Sequence, residues 1–135
     1  MWQQTLSASN DAAAAVVLVV EDEVLVRLAA AQHLRRAGYE VLEASNADEA
    51  LRLLATVDVD VVFSDITMPG SMDGLGLVDW VRRHRHQVAT IVTSGALQPA
   101  AGYGMFLSKP YRLIDLDFCL ANVLERFEPQ QLCAD

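Results

Sequence analysis

Cysteine, positive charge and long apolar runs are all scarce in this sequence of 135 residues. Its two cysteines, Cys119 and Cys133, fit neither a metal site nor a disulfide framework, so we expect reduced thiols in a cytosolic protein. Lys and Arg total 10 against 18 Asp and Glu, which gives a formal net charge of −8. That balance argues against direct binding to nucleic acid or to an anionic membrane, because both select clustered positive charge.

The longest uninterrupted apolar run, residues 12–20, has nine residues and is too short to span a bilayer. No Lys or Arg precedes it and Glu21 follows directly, so it lacks the pattern of a signal peptide. A composition with 53% hydrophobic residues predicts one compact cytoplasmic domain with its own core. We expect that domain at residues 15–128, between a flexible N-terminal tail (1–14) and a C-terminal tail (129–135).

Strand and helix patterns alternate along the chain. Residues 15–20 form a continuous apolar run rich in β-branched valine, which is typical of a strand buried on both faces. Further strands are predicted at 39–44, 60–64, 89–93 and 105–107, with amphipathic helices in the intervals. The first helix, residues 23–37, is expected to bury one apolar stripe made of Val24, Leu28, Ala31 and Leu34. This alternation predicts an α/β fold with a parallel sheet covered on both faces.

Polar side chains follow four of the predicted strands. They are Glu21, Asp22 and Glu23, then Asp65, then Thr93 and Ser94, and finally Ser108 and Lys109. Each alone has a plain structural explanation, such as a helix cap, a turn or a solvated lysine. Because the carboxyl ends of parallel strands meet at one edge of a sheet, however, we expect these side chains to converge there.

The residue types at this edge predict a specific chemistry. Crowded carboxylates repel one another unless a cation joins them, and hard oxygen ligands select Mg²⁺. A hydroxyl and an ammonium placed opposite them suit an oxyanion. Carboxylates, a divalent cation, a hydroxyl donor and a lysine together indicate phosphoryl transfer.

Four motifs in this order resemble the receiver domain of bacterial two-component response regulators over residues 16–127. They are Val19-Val20-Glu21-Asp22-Glu23, the segment from Asp65 to Gly74, Thr93-Ser94-Gly95, and Lys109-Pro110. The resemblance implies a doubly wound sheet of five parallel strands in the flavodoxin-like order 2-1-3-4-5. It also implies that Asp65 is the phosphorylated carboxylate.

The resemblance assigns the remaining site residues as well. It makes Asp22, Asp65 and the backbone carbonyl of Thr67 ligands of Mg²⁺, with Glu21 assisting through water. Ser94 would donate its hydroxyl to one phosphoryl oxygen, and Lys109 would pair with another. Ser94 and Phe106 would form the switch that responds to phosphorylation, although Phe106 is equally well explained as a plain core residue.

The implied function is that of a single-domain response regulator. Asp65 would attack the phosphohistidine of a sensor histidine kinase or of a histidine phosphotransfer protein, and the acyl phosphate would later hydrolyse. Apart from its own phosphorylation and dephosphorylation the protein would catalyse nothing. It would signal by phosphorylation-dependent binding to a downstream protein, without contacting nucleic acid or inserting into a membrane.

Two other functions compete with this interpretation. A degenerate receiver would keep the fold and bind partners without phosphorylation, but the intact set of Asp22, Asp65, Ser94 and Lys109 argues against it. A haloacid-dehalogenase-type phosphohydrolase also uses an Asp nucleophile and Mg²⁺. That family needs a second Asp two residues after the nucleophile, where this sequence has Thr67.

The interval between the fourth and fifth strands departs from the receiver pattern. Only residues 95–103 separate Ser94 from Gly104, and Pro99 with two glycines opposes helix there. An average helix takes about 11 residues, so we predict that the usual fourth helix is short or missing, leaving a mobile loop. Ile91 and Val92 would then be poorly covered on one side. The exposed face would then bind a partner or a second copy of the chain as a homodimer; the alternative is that the final helix and Tyr103 close the gap.

Overall fold

Five parallel strands with helices on both faces make up the protein, which is described here from a computed structural model. The structure describes residues 14–96, 98–99 and 102–127. For residues 126 and 127 it describes the backbone alone. The elements in chain order are β1 (Val16–Val20), α1 (Val24–Arg36), β2 (Glu40–Ala44), α2 (Ala47–Thr56), β3 (Val61–Asp65), α3 (Gly74–His84), β4 (Ala89–Ser94), β5 (Met105–Ser108) and α4 (Leu113–Phe127).

The strand order across the sheet is β2-β1-β3-β4-β5, and every neighbouring pair is parallel. The predicted doubly wound sheet and its order are therefore confirmed. The predicted tails at 1–14 and 129–135 lie outside the described residues except for Ala14, so the domain boundaries stay a prediction. None of the helices in the described ranges has the length and apolarity that crossing a bilayer requires.

Alternate residues of β1 pack into two separate hydrophobic cores. Val17 and Val19 pack in the cluster that includes buried side chains of α1 and α4, whereas Leu18 and Val20 pack in the cluster formed with α2 and α3. A central strand covered by helices on both faces needs apolar side chains at every position. This is why the run at residues 15–20 shows no polar alternation.

Helix α1 buries a different face from the one predicted. Ala30, Ala31 and Leu34 are buried as its core side chains, but Val24 is 54% exposed and Leu28 is 38% exposed. The inner position of the first two turns belongs instead to Arg27, which is half-buried. Its Nη1 donates to the carbonyl oxygen of Glu21 (2.9 Å) and its Nε to Glu43 Oε1 (3.2 Å). The predicted stripe is therefore wrong in its N-terminal half, because two hydrogen bonds hold a charged residue where an apolar one was expected.

Helices α2 and α3 begin at side-chain caps. Asn46 Oδ1 accepts a hydrogen bond from the Glu49 backbone nitrogen (2.8 Å), and Asp73 Oδ1 accepts one from the Gly76 nitrogen (2.9 Å). Such caps satisfy amide groups that have no partner within the helix. The Asp73 cap fixes the start of α3, which directly follows the loop after β3.

No helix occurs between β4 and β5 within the described residues of that interval, as predicted; residues 97, 100 and 101 lie outside the description. Gly104 closes the connection against β4, since a Cβ on it would stand 2.3 Å from the Thr90 carbonyl oxygen. The expected exposure of β4 is wrong, because Ile91 and Val92 are both 0% exposed. Helices α3 and α4 both contact β4 and cover it, so the half-buried residues fall on the edge strand, at Met105 and Phe106.

Candidate functional site

Three backbone hydrogen bonds carry the sheet ladder one residue past the ends of its strands and so position the site. The Glu21 nitrogen donates to the Ala44 carbonyl (3.0 Å), and the Lys109 nitrogen donates to the Ser94 carbonyl (2.9 Å). The Ile66 nitrogen donates to Thr93 (2.9 Å), which holds the chain directly after Asp65. The side chains at these strand ends are thus presented from a rigid edge.

Three carboxylates come together at this edge. Each of Glu21, Asp22 and Asp65 offers an oxygen, and these oxygens all lie within 4.8 Å of one another. Glu21 and Asp65 are buried, whereas Asp22 is exposed at the rim. The parallel topology thus brings together these three of the side chains that were expected to converge.

The side chain of Lys109, which directly follows β5, completes the cluster. Its Nζ lies 2.9 Å from Glu21 Oε1 and 3.4 Å from Asp65 Oδ2. The Lys109 ammonium thus pairs with two buried carboxylates, and it donates its hydrogen bond to Glu21. The other carboxylate, Asp65, receives the longer contact.

Burial and charge act in opposite directions on this ion pair. Burial raises the pKa of Glu21 above its usual value and outweighs the lowering by its hydrogen bonds from Lys109 and the Glu23 amide. On Lys109, burial lowers the pKa, but the hydrogen bond and charge of Glu21, with the charge of Asp65, together raise it. The lysine therefore stays charged in neutral solution.

Ser94 and Thr93 end β4 with buried hydroxyls. Ser94 Oγ accepts a hydrogen bond from the Ala96 nitrogen (3.0 Å), which leaves its own hydrogen to be donated. Thr93 pairs with Asp65 in the strand register, yet its buried Oγ1 has no hydrogen-bond partner within the described part of the chain. Thr67 is exposed in the loop after β3, and Phe106 is half-buried opposite Val92 on β5. The roles assigned to Ser94, Thr67 and Phe106 stay predictions.

Two residues that shape the site carried no signal in the sequence. Arg27 holds the Glu21 carbonyl from α1, and Tyr111 packs edge-on against Phe63 with ring centroids 5.7 Å apart. Burial raises the pKa of Tyr111 to about 12, with the negative charge of Glu21 adding to the rise. Tyr111 and Phe63 lie far apart in the chain, and Arg27 also bonds Glu43 on β2, so local patterns do not reveal these contacts.

The donor set suits Mg²⁺. This ion takes oxygen ligands at about 2.1 Å, which places opposite ligands about 4.2 Å apart. One oxygen of each of the three carboxylates lies within 4.8 Å of the others, close to this largest separation between two ligands of one ion. Two of them are buried with one ammonium between them, so a dication would relieve the excess negative charge. The dication and the Lys109 ammonium would then offset the charge of the three carboxylates, so that the edge no longer repels an incoming oxyanion.

An apolar groove runs beside this cluster, between α1 and the start of α4. Its volume is about 690 Å³, and its lining joins residues of α1 to Lys109, Pro110 and Tyr111. Leu25 at its border is 80% exposed. On α4, Ile114 and Phe118 are exposed as well. The groove therefore offers an apolar surface directly beside Lys109.

Comparison with known proteins agrees with this geometry. The family described as "Response regulator receiver domain" matches residues 17–117. The chain is 35% identical over 129 residues to "Sensor kinase CckA" of Brucella abortus and 32% identical over 129 residues to "Transcriptional regulatory protein PdtaR" of Mycobacterium tuberculosis. Each match covers 88% of this chain, but only 13% of the first relative and 62% of the second. The chain thus spans less than two thirds of either protein.

A solved structure shares the whole architecture. It is the signal receiver domain of an HD domain-containing protein from Pseudomonas fluorescens Pf-5, with a TM-score of 0.79 and 27% identity. The likeness covers 84% of this chain and 97% of the solved one. The sheet and its helices therefore follow an architecture already seen in a solved protein.

Proposed function

Since the chain belongs to the response regulator receiver domain family, we propose that it accepts a phosphoryl group on Asp65. The donor is the phosphohistidine of a sensor histidine kinase or of a histidine phosphotransfer protein. One observation carries this proposal: the buried Asp65 carboxylate lies beside two other carboxylates and 3.4 Å from the Lys109 ammonium. That arrangement suits a nucleophile whose product needs both a dication and a fixed positive charge.

Four residues would hold Mg²⁺. Asp22, Asp65 and the backbone carbonyl of Thr67 bind it directly in this proposal, and Glu21 binds through water. When bound, Mg²⁺ neutralises the carboxylates and offsets the charge on the transferring oxygens. The chain's own residues do the rest, since Lys109 pairs with one phosphoryl oxygen and the Ser94 hydroxyl donates to another.

The phosphoryl transfer to Asp65 needs no general base, because the ionised carboxylate has no proton to lose. An ionised Asp65 oxygen forms a bond to phosphorus as the phosphorus–nitrogen bond breaks, and the electron pair returns to the imidazole nitrogen. Water later attacks the acyl phosphate, which releases inorganic phosphate and restores Asp65. The protein therefore acts on its own carboxylate and turns over no separate substrate.

The groove between α1 and α4 supports a protein as the phosphoryl donor. It is apolar, it includes Lys109 in its lining, and the exposed Leu25 borders it. A donor protein seated there would bring its phosphohistidine to the acidic edge. We propose that movement of Ser94 toward the phosphoryl group, with Phe106 following, then changes what a downstream protein or a second copy of the chain can bind. This signalling would take place in the cytoplasm.

Intact mass measurement after incubation with acetyl phosphate and Mg²⁺ tests the proposal. We expect a phosphate-sized mass increase in the wild type and none in Asp65→Asn. Asp58→Asn serves as the matched control, because Asp58 is exposed and lies outside the acidic cluster; this variant should still gain the phosphate. An increase that persists in Asp65→Asn would contradict the assignment of Asp65.

The same experiment separates the competing functions. If the wild type gains no phosphate and binds no Mg²⁺, the chain is a binding module that works without phosphorylation. Steady release of phosphate from added phosphomonoesters would indicate a phosphohydrolase instead. The exposed hydroxyl of Thr67 stands where that chemistry requires a second carboxylate, so we expect no such release.

A further inference from the structure

Another cavity lies at the end of the sheet opposite the acidic cluster. Its volume is about 760 Å³, and sites for small molecules typically measure about 300–1,000 Å³. Ala89 and Thr90 at the start of β4 line it, together with Met105 at the start of β5. Asp65 stands at the end of β3 in this parallel sheet, so the cavity is separate from the proposed phosphorylation site.

One wall of the cavity, formed by Thr90 and Gly104, is held in place by two contacts. Thr90 is 2% exposed, and its Oγ1 donates to the Tyr103 carbonyl at 3.1 Å. Gly104 packs against the same threonine, since a Cβ on it would stand 2.3 Å from the Thr90 hydroxyl oxygen. These contacts join β4 to the chain that leads into β5, so this wall is already formed before any ligand binds.

The lining of the cavity combines apolar side chains with positive charge. Arg82 and His86 line it where α3 ends, and no carboxylate of the described residues does so. The apolar part of the lining comes from Val88, Ala89, Met105 and Val123. A ligand that matches both parts has an apolar body and an anionic group.

Arg82 has hydrogen-bonding capacity left for such a ligand. A guanidinium carries five N–H donors, and the described residues show one long hydrogen bond from it, from Nη1 to Thr90 Oγ1 at 3.4 Å. No carboxylate of the described residues pairs with Arg82, whereas the neighbouring Arg83 pairs with Asp79. The dipole of α3 favours both arginines at its end, but only Arg82 lines the cavity.

The charge of the chain directs anions toward this end of the molecule. Residues 82–86 contain three of the ten Lys and Arg residues and two of the three histidines. The chain as a whole has a formal net charge of −8. An anion is therefore repelled by most of the surface and attracted at the end of α3.

We propose that this cavity binds a small organic carboxylate with an apolar ring as its body. The ring packs against the apolar lining, and the carboxylate pairs with Arg82. The guanidinium is the only permanent positive charge in the lining, so it matches a monoanion, and its planar fork fits the two oxygens of a carboxylate. This binding requires neither Mg²⁺ nor phosphorylation of Asp65, so it goes beyond the proposed function.

Titration of the full chain with 2-naphthoate, followed by ¹H–¹⁵N NMR, tests the proposal. We expect saturable shifts at the amides of Thr90, Gly104 and Met105, with a dissociation constant of about 1 mM for a ligand of this size. Leu25 and Tyr111, in the groove beside Lys109, should not shift in parallel. No saturable binding at millimolar 2-naphthoate, or shifts confined to that groove, would overturn the proposal.

Two control ligands separate the contributions of charge and apolar surface. Acetate carries the carboxylate without the ring, and 2-naphthylmethanol carries the ring without the charge. Each should bind about 10-fold more weakly than 2-naphthoate, or more weakly still. Acetate binding as tightly as 2-naphthoate would show a simple anion site, and equal binding of the alcohol would show that Arg82 plays no part.

Two matched variants test the role of Arg82. Arg82→Gln should weaken 2-naphthoate binding by about 10-fold, the low end for a hydrogen bond to a charged group. Arg83→Gln makes the same change at the next residue, which is outside the lining, and should alter the affinity less than about 2-fold. Equal losses in the two variants would mean that general attraction to the basic segment suffices, and would overturn the proposal.

Phosphorylation and ligand binding can fail independently in these experiments. Arg82→Gln should still gain a phosphate-sized mass from acetyl phosphate and Mg²⁺, and Asp65→Asn should bind 2-naphthoate as the wild type does. Wild-type protein that binds 2-naphthoate but gains no phosphate would contradict the proposed function alone. Protein that is phosphorylated but shows no shift at Thr90 or Gly104 would contradict this inference alone.

Discussion

A β-carbon on Gly74 would stand 1.8 Å from the backbone oxygen of Asp65. The start of α3 thus packs directly against the peptide that carries the proposed phosphoacceptor. The Gly74 nitrogen also donates to the Ile66 carbonyl (2.8 Å), which closes the loop between β3 and α3. The position of Asp65 therefore depends on the absence of a side chain at residue 74.

We predict that Gly74→Ala destabilises the protein by about 1–3 kcal/mol, the usual cost of forcing atoms into a packed site. Gly76→Ala is the matched control two residues along the same helix. Its Cβ would make its one close contact with the flexible Met72 side chain, at 2.9 Å from Cγ, and alanine favours helix over glycine by about 0.5–1 kcal/mol. Urea unfolding measures both variants, and equal losses would contradict the proposed packing.

A second prediction concerns the rim carboxylate. Asp22→Ala should abolish Mg²⁺-dependent phosphorylation while leaving the fold intact, because removing one of three neighbouring carboxylates relieves repulsion. Intact mass after incubation with acetyl phosphate measures the first effect, and circular dichroism checks the second. Phosphorylation at the wild-type rate would show that Asp22 is not a metal ligand.

Mg²⁺ should also raise the melting temperature of the wild type, since it binds only the folded site. At 100 times its dissociation constant a ligand adds about 2.7 kcal/mol to the free energy of unfolding. We expect the rise to shrink or vanish in Asp22→Ala. The absence of any shift in wild-type protein at millimolar Mg²⁺ would argue against a preformed acidic site.

Much of this site follows from topology, and topology could be predicted from sequence. The β-branched run at residues 15–20 and the alternation after it indicated a parallel sheet. Because the strands are parallel, Asp65 at the end of β3 and Lys109 after β5 lie at the same edge of the sheet. The cap at Asn46 could be predicted as well, because it depends on residues three apart in the chain.

What could not be predicted depends on distances between groups in three dimensions. The helical pattern placed Val24 on the inner face of α1, but Arg27 occupies that face because Glu21 and Glu43 offer it acceptors. The choice of Glu21 over Asp65 as the nearer partner of Lys109 is a matter of about half an ångström in three dimensions. Periodicity carries no information at that scale.

A fourth prediction compares two hydroxyls of β4 that have different surroundings. Thr93 Oγ1 is buried without a partner in the described part of the chain, whereas Thr90 Oγ1 donates to the Tyr103 carbonyl at 3.1 Å. An unsatisfied buried polar group costs about 1–3 kcal/mol. Thr93→Val, which keeps the shape, should therefore leave the free energy of unfolding unchanged or raise it.

Thr90→Val is the control for that variant, since it removes a hydrogen bond that is made. It should lower the free energy of unfolding by about 0.5–1.5 kcal/mol. Chemical denaturation of the two variants in parallel gives the comparison. A loss from Thr93→Val as large as that from Thr90→Val would mean that the Thr93 hydroxyl has a partner after all.

The last prediction is a pH dependence that arises at Tyr111. Burial, with the negative charge of Glu21, raises the pKa of its hydroxyl to about 12 from an ordinary value of 10. The folded state therefore favours the neutral phenol, so its contribution to stability is complete below pH 10 and is lost as the pH rises toward 12.

Tyr111→Phe keeps the ring that packs edge-on against Phe63 but cannot ionise. Between pH 10 and 12 we expect wild-type protein to lose more stability than Tyr111→Phe in urea unfolding. In absorbance titration at 295 nm the variant should lack the last of the three tyrosine transitions. Parallel loss of stability in both proteins would show that Tyr111 ionises as easily when folded as when unfolded.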